Sequence, residues 1–227
     1  MKKIYRALKN AREHIDPRYK DVGYKNRTKG LSIFTAFTDS IVIGYPMQFF
    51  GEEELFLLCR ELSSFQMSLT MEGFFVRGAI AIGDLYMDDI AVFGLALIEA
   101  IESEEKLAQF PRIVFAESAR KAVDEYKGYY AVEKHALLSS NILEDADGQY
   151  FLNYLNTVMS EEHLSNKELL EKHKYSIEDM LTKHRRDLKV WSKYRWVATY
   201  HNDFCGTCQE VDDSMRIDKK NFRFDHV

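Results

Sequence analysis

Cysteine, proline and glycine are all scarce in this chain of 227 residues: three, three and eleven respectively. A small, odd cysteine count gives no disulfide framework and suits a reducing compartment. So few prolines and glycines exclude collagen-like and linker-dominated architectures. No apolar run approaches the roughly 20 residues that a membrane-spanning helix needs. The opening MKKIYRALKNAREHID lacks the unbroken apolar stretch of a secretory signal. The expectation is a cytoplasmic protein with no membrane partner. No Walker loop, dinucleotide-binding glycine pattern, GxSxG or HExxH is present, which removes the commonest short catalytic signatures. Neither sign of charge dominates. Thirty-one Lys and Arg stand against thirty-six Asp and Glu, a net −5 that makes no global case for nucleic-acid binding.

What is present is a globular balance, 46% apolar and 30% charged. The charge is uneven: ten basic residues against three acidic ones give the first thirty residues +7, leaving −12 on the rest. Residues 2–14 place Ile4, Tyr5, Leu8 and Ala11 at helical spacing, with basic residues on the other face. LSIFTAF (31–37) and SIVIGYP (40–46) read as a tight hairpin with Asp39 at its tip. Leu55, Leu58, Cys59, Leu62, Phe65 and Leu69 mark a helix over 52–69, behind three glutamates. FFVRGAIAIGDLY (74–86) predicts a long strand turned back by MDD into IAVFG (90–94). A helix over about 95–107, a strand at 112–116, a short helix and a strand at 149–155 follow. The last third is helical, opened by the capping-box pattern Ser165 to Glu168. The pattern predicts an α+β fold, helices on a mainly antiparallel sheet, with C-terminal helices appended. The expected units are 1–160 and a helical extension over 161–227.

Four groups of residues could carry chemistry. Asp39 is placed to hold a divalent metal against a triphosphate, or it is a turn aspartate bonding its own backbone. Arg77, inside an apolar run, predicts a buried guanidinium whose anionic partner is either a phosphate or a carboxylate of the fold. Asp84, Asp88 and Asp89 cluster at the second hairpin, where a solvated turn is the simpler reading. His201, Cys205 and Cys208 form HxxxCxxC, three possible zinc ligands with no fourth at usual spacing. The aromatic cluster Trp191, Tyr194, Trp196 and Tyr200 reads as packing.

The ordered segments FTDSIVIGYP (37–46), FFVRGAIAIGDLYMDD (74–89), VFGLALIEAIESE (92–104) and FPRIVF (110–115) resemble the class III nucleotide cyclase homology domain. More narrowly, they are similar to the bacterial pyrimidine cyclases of Pycsar anti-phage defence, as is KYRWVATYHNDFC (193–205). The resemblance covers residues 31–116 and 190–205, about half the chain. It implies a ferredoxin-like core and cyclisation of UTP or CTP with Mn²⁺ or Mg²⁺. It also implies a head-to-tail homodimer and a downstream effector that senses the cyclic product. By the same resemblance Asp39 falls on the second metal aspartate and Arg77 on a strand arginine. Phe34, Thr35 and Arg77 then become the substrate contacts. Phe93-Gly94 matches the aromatic-glycine pair that opens the family's catalytic helix.

Departures accompany these matches. Purine cyclases place Asn four and Arg eight residues after that glycine, where this chain has Ile98 and Glu102. Their adenine-reading lysine would fall at Thr35. The family also opens with a strand F-x-D-x-x-G-F bearing the first metal aspartate, whereas this sequence starts at the following helix. Two expectations follow. One is a catalytically degenerate cyclase fold that binds or regulates. The other is an unpaired sheet edge beside the hairpin 31–46, because strands apolar on both faces belong inside a covered sheet.

Overall fold

The computed structural model describes residues 2–12, 15, 33–37, 40–47, 51–88, 90–130, 138–159, 166–208, 211–218 and 220. Six helices are described: α1 (Lys2–Arg12), α2 (Gly51–Met71), α3 (Leu95–Leu107), α4 (Glu117–Gly128), α5 (Asn166–Lys183) and α6 (Leu188–Thr207). Eight strands accompany them: β1 (Ile33–Phe37), β2 (Ser40–Gly44), β3 (Gly78–Ile80), β4 (Tyr86–Met87), β5 (Val92–Phe93), β6 (Ile113–Phe115), β7 (Ile142–Glu144) and β8 (Tyr150–Leu152). The α+β class therefore holds. Pairing is mainly antiparallel, and the exception is β3 with β6, a parallel pair that needs a crossover. The β4–β5 hairpin and α3 supply it.

The strands form a four-stranded sheet in the order β3-β6-β8-β7, plus the separate hairpins β1–β2 and β4–β5. Side-chain alternation along the central strands sorts the helices into two layers. Ile80, Ile113, Phe115, Ile142 and Leu152 face one core with Ala7 and Ala11 of α1, Leu55 to Leu69 of α2, and Ala119 and Val123 of α4. Residues one out of phase face the other side. Arg77 reaches Glu104 of α3, and Phe151 packs on Trp196 and Tyr200 of α6. The strands are accordingly apolar on both faces, as doubly covered strands must be.

Arg112 joins these layers. Its side chain is 0% exposed, and its two terminal nitrogens bond Asp145 and Asp147 in the β7–β8 turn. The guanidinium also donates to the Leu107 carbonyl at the end of α3, and it lies over the rings of Phe110 and Trp196. Trp196 in turn donates its indole N–H to Asp145 at 2.7 Å.

Several expectations need correction. The long strand over 74–86 reduces to Gly78–Ile80 and the two-residue β4. The cause lies in its partner: β6 runs into α4 at Glu117, and the Ile82 N–H then bonds Ser118 Oγ at 2.9 Å instead of a strand. The strand at 149–155 stops at Leu152, where a 3₁₀ turn over Tyr154–Met159 begins. The sequence reading does not predict β7, a strand of only three residues. Ser165 of the proposed capping box lies outside the described residues, whereas Asp187 caps α6 by accepting the Val190 N–H. Met67 of α2 and Phe204 of α6, on either side of residue 160, share one cluster of buried residues.

Replacing Arg112 with Met should lower stability by about 3 kcal/mol, since it strands two carboxylates and a carbonyl. Urea denaturation of the variant checks this, and Asp147→Asn, at the more exposed partner, should cost far less.

Candidate functional site

The segments that carry the resemblance converge around β3. Gly94 ends β5 and precedes α3 with φ 147°, a conformation that side chains rarely adopt. A Cβ there would lie 2.3 Å from the Asp84 carbonyl oxygen. The Phe-Gly pair is thus explained by a close backbone crossing that only glycine permits.

Arg77 is not buried; its side chain is 42% exposed, which corrects the sequence expectation. The reason is its place just before β3, on the α3 side of the sheet at the end of that helix. Nε pairs with Glu104 at 2.5 Å and Nη1 donates to the Ala108 carbonyl at 3.4 Å. A cation at a helix C-terminus is favourable in itself. Glu104 is therefore a carboxylate partner of Arg77 within the fold.

Asp39 lies outside the described residues, as does Asp89. Asp88 is a turn aspartate. It accepts N–H bonds from Ala91 and Ile90 and the Tyr86 hydroxyl, each at 2.8 Å, and these bonds hold its carboxyl below the usual range. Asp84 is exposed. Phe34 and Thr35 point to opposite faces of β1. Phe34 meets Phe65 of α2 edge-on at 6.3 Å and lies under the Arg12 guanidinium. Ile98 is exposed on α3, and Glu102 is paired with Lys106 at 2.7 Å. No group of three or more His, Cys, Asp or Glu side chains among the described residues could hold a metal ion.

Beside β3 the structure holds a cavity of about 1140 Å³. Residues 40–47 border it on one side and residues 75–83 on the other, with α2 and α3 above and below. Leu58, Leu62 and Phe65 line it from α2, Ala96 and Ala100 from α3.

The HxxxCxxC segment does something else. His201 is fully buried, and both its ring nitrogens are occupied: Nε2 by the Met215 carbonyl at 2.8 Å, Nδ1 by His173 Nδ1 at 2.9 Å. A carbonyl only accepts, so His201 carries its proton on Nε2 and accepts on Nδ1. His173 must then donate from Nδ1, leaving Nε2 to accept the Tyr154 hydroxyl at 2.7 Å. Every member of this chain is satisfied with both rings neutral. Burial lifts the Cys205 thiol to about 11, and Cys208 donates to the Met159 sulfur. The segment is therefore a packing element, and its zinc reading fails on occupied nitrogens. His173 and Arg112 escaped sequence reasoning. For Arg112 a signal existed, an arginine opening the apolar strand RIVF with Asp-x-Asp-Gly downstream; for His173 there was none.

No protein-family model, curated protein or solved structure matches the chain.

Burial lowers the proton affinity of both His173 and His201. Unfolded histidines titrate near pH 6.5. Above that value neither state binds the extra protons, and the stability of the neutral pair is fully present. Below it the unfolded chain takes up protons that the folded chain refuses, so stability falls with pH, by about 1 kcal/mol per histidine per pH unit. Melting temperatures measured from pH 7.5 to 5 should decline below about 6.5, and His173→Phe should flatten the decline.

Proposed function

We propose that the chain is a pyrimidine nucleotide cyclase, an enzyme that forms a 3′,5′-cyclic nucleotide from UTP or CTP as an antiviral second messenger. One observation carries the reading. The four segments that resemble the class III cyclases occur in order on elements of matching type: a hairpin, a strand, a second hairpin, a glycine-opened helix and a strand parallel to the first. A ferredoxin-like core is the corresponding architecture.

In this reading the ribose 3′-oxygen attacks the α-phosphorus, the bond to the β-phosphate bridging oxygen breaks, and pyrophosphate leaves. Arg77 contacts the phosphates with the donors that Glu104 and Ala108 leave over. Thr35, on the face of β1 away from α2, is better placed than Phe34 to meet the base. Asp39 would hold Mn²⁺ or Mg²⁺, which when bound supplies Lewis acidity and neutralises phosphate charge. Ile98, standing where purine cyclases carry an amide, fits a pocket of different chemistry. The product acts through an effector protein that senses it.

A head-to-tail homodimer belongs to the same reading. Leu95, Ile98 and Ile101 expose an apolar stripe on α3 that continues into Phe93 and Ile90 of the second hairpin. Contiguous exposed apolar surface of this kind marks interfaces. A charged residue at Ile98, as in Ile98→Lys, should shift the protein from dimer to monomer in light scattering while leaving the melting temperature within a few degrees.

A second reading is a degenerate cyclase fold that binds nucleotide without turning it over. It is favoured by Arg77 and Glu102 already being paired within the chain. Incubation with each of the four nucleoside triphosphates and Mn²⁺, followed by product analysis, separates the two. Cyclic UMP or CMP is the expected product, and binding without product supports the degenerate reading. Asp39→Ala should abolish formation at unchanged melting temperature. Arg77→Leu should reduce turnover sharply yet cost no more than about 1 kcal/mol, because its ion pair is half-exposed.

A further inference from the structure

The whole-chain charge of −5 hides a second basic region besides the first thirty residues. Residues 183–195 (KHRRDLKVWSKYR) hold six cations and one carboxylate. They form the corner where α5 ends and α6 begins. With both basic regions set aside, the rest of the chain carries fifteen basic and thirty-two acidic residues. Cations are thus segregated on a chain that is otherwise strongly acidic. Such asymmetry speaks to partners rather than to fold.

The corner keeps its cations available. Lys183, Arg185, Arg186 and Lys189 are exposed, and Lys193 is partly so. None of the five forms an ion pair among the described residues. Elsewhere helices spend their lysines internally, Lys106 on Glu102 in α3 and Lys121 on Glu117 in α4. The corner's one carboxylate, Asp187, is engaged as the cap of α6, where it accepts the Val190 N–H at 3.1 Å. Beyond it α6 has no acidic residue until Asp203, and on α5 Glu178 and Asp179 lie about one turn before Lys183. A further basic element stands at the same end of β3. Lys3 of α1 lies over Phe74, while the next residue, Phe75, packs edge-on against Tyr194 of α6, which stacks on His184.

The side chains between the cations decide which polyanion fits. A membrane surface needs an apolar face to insert. Here Trp191 and Tyr194 turn inward onto the cluster of Ile177, Leu181 and Val197, and Leu188 is the one large apolar residue of the corner left exposed, at 76%. A single strand needs open aromatic faces on which bases stack. The Trp191 ring is covered by the Arg195 guanidinium, and Tyr194 lies against both His184 and Phe75. What remains is long, mobile cations on a corner whose residues 185–189 are exposed without interruption. Cations on both arms of such a corner match a groove with a phosphate backbone on either side. We propose that the α5–α6 corner is a docking surface for duplex nucleic acid, held through phosphates and without reading sequence. Lys183 at the end of α5, Arg185 and Arg186 in the turn, and Lys189 and Lys193, one turn apart on α6, make the phosphate contacts. Duplex DNA and duplex RNA share this chemistry. The inference does not rest on nucleotide cyclisation.

The test is fluorescence anisotropy of the full chain with labelled short duplexes of scrambled sequence, one of DNA and one of RNA, alongside their single strands. Between about 50 and 200 mM salt the logarithm of affinity should fall against the logarithm of salt with a slope of about −4, as five phosphate contacts require. The triple variant Arg185→Gln, Arg186→Gln, Lys189→Gln should weaken binding by about tenfold or more and flatten the slope by roughly 3. Its melting temperature should stay within a few degrees, because all three side chains are exposed. Lys121→Gln, which removes a cation from α4, should bind as the parent chain does. Binding of both duplexes, or of one, supports the proposal and names the source. Absence of duplex binding at the lowest salt would overturn it, as would undiminished binding by the triple variant or an equal loss in Lys121→Gln. Single strands that bind as tightly as duplexes would overturn the duplex assignment. Flotation with phosphatidylserine-rich vesicles in place of duplex binding would give the corner to a membrane surface instead. None of these readouts involves catalysis, so an inactive protein leaves them intact.

Discussion

A buried guanidinium ties the described layers of this protein together. Arg112 stands at the head of β6, yet it touches the β7–β8 turn through Asp145 and Asp147, the end of α3 through Leu107, and α6 through the face of Trp196. A charge without exposure is tolerable when its terminal donors are met in a planar, bidentate manner, which arginine does and lysine cannot; in Arg112 only Nε has no hydrogen-bond partner. The requirement works in both directions. The Asp-x-Asp-Gly turn must sit where it does to neutralise Arg112, and Trp196 must stack there because Asp145 also takes its N–H. Two carboxylates, one cation and one indole thereby set how the sheet meets the C-terminal helices.

From that anchor the rest of the sheet follows by alternation. Ile113 and Phe115 turn to the α2 side, Arg112 and Val114 to the other, and β3 copies the pattern through its parallel register with β6. α5 and α6 close the second face through Phe75, Phe151 and the neutral histidine pair. They form one packed body with the sheet, which is why HxxxCxxC, at the end of α6, faces inward.

The parts that were legible in the sequence are those where one interaction dominates. The α2 stripe from Leu55 to Leu69, the helix over 95–107 and the hairpin joined at residues 38–39 follow from side-chain periodicity and short connections alone. The length of β3 was not legible, because it depends on where its partner stops. β6 yields to α4 at Glu117, and Ile82 loses a ladder partner to a serine hydroxyl. Nothing in FFVRGAIAIGDLY records that event in another segment. Arg77 failed for a related reason. An arginine in an apolar run is buried if the run is central throughout, but here the residue precedes the paired part and finds Glu104 beside it. His173 illustrates the limit more sharply, since only the folded chain brings it to His201 across 28 positions of sequence.

Stability and candidate chemistry are distributed unequally as a consequence. The half of the sheet around β6 is held by paired strands on both sides, a buried charge network and aromatic stacking. Among the described residues hairpin β1–β2 has no ladder to it and is held through its packing on α1 and α2, with Phe34 against Phe65 and under Arg12. Segments attached by few hydrogen bonds open at lower free energy than those in a ladder. Thr35 belongs to that hairpin, whereas Arg77 stands just before β3 and Gly94 in its crossover. Groups on one body and groups on the other keep a fixed separation only if the two bodies are joined. Among the described residues they are joined by side-chain packing on α2 and not by strand hydrogen bonds, so their separation depends on how rigidly α2 holds both.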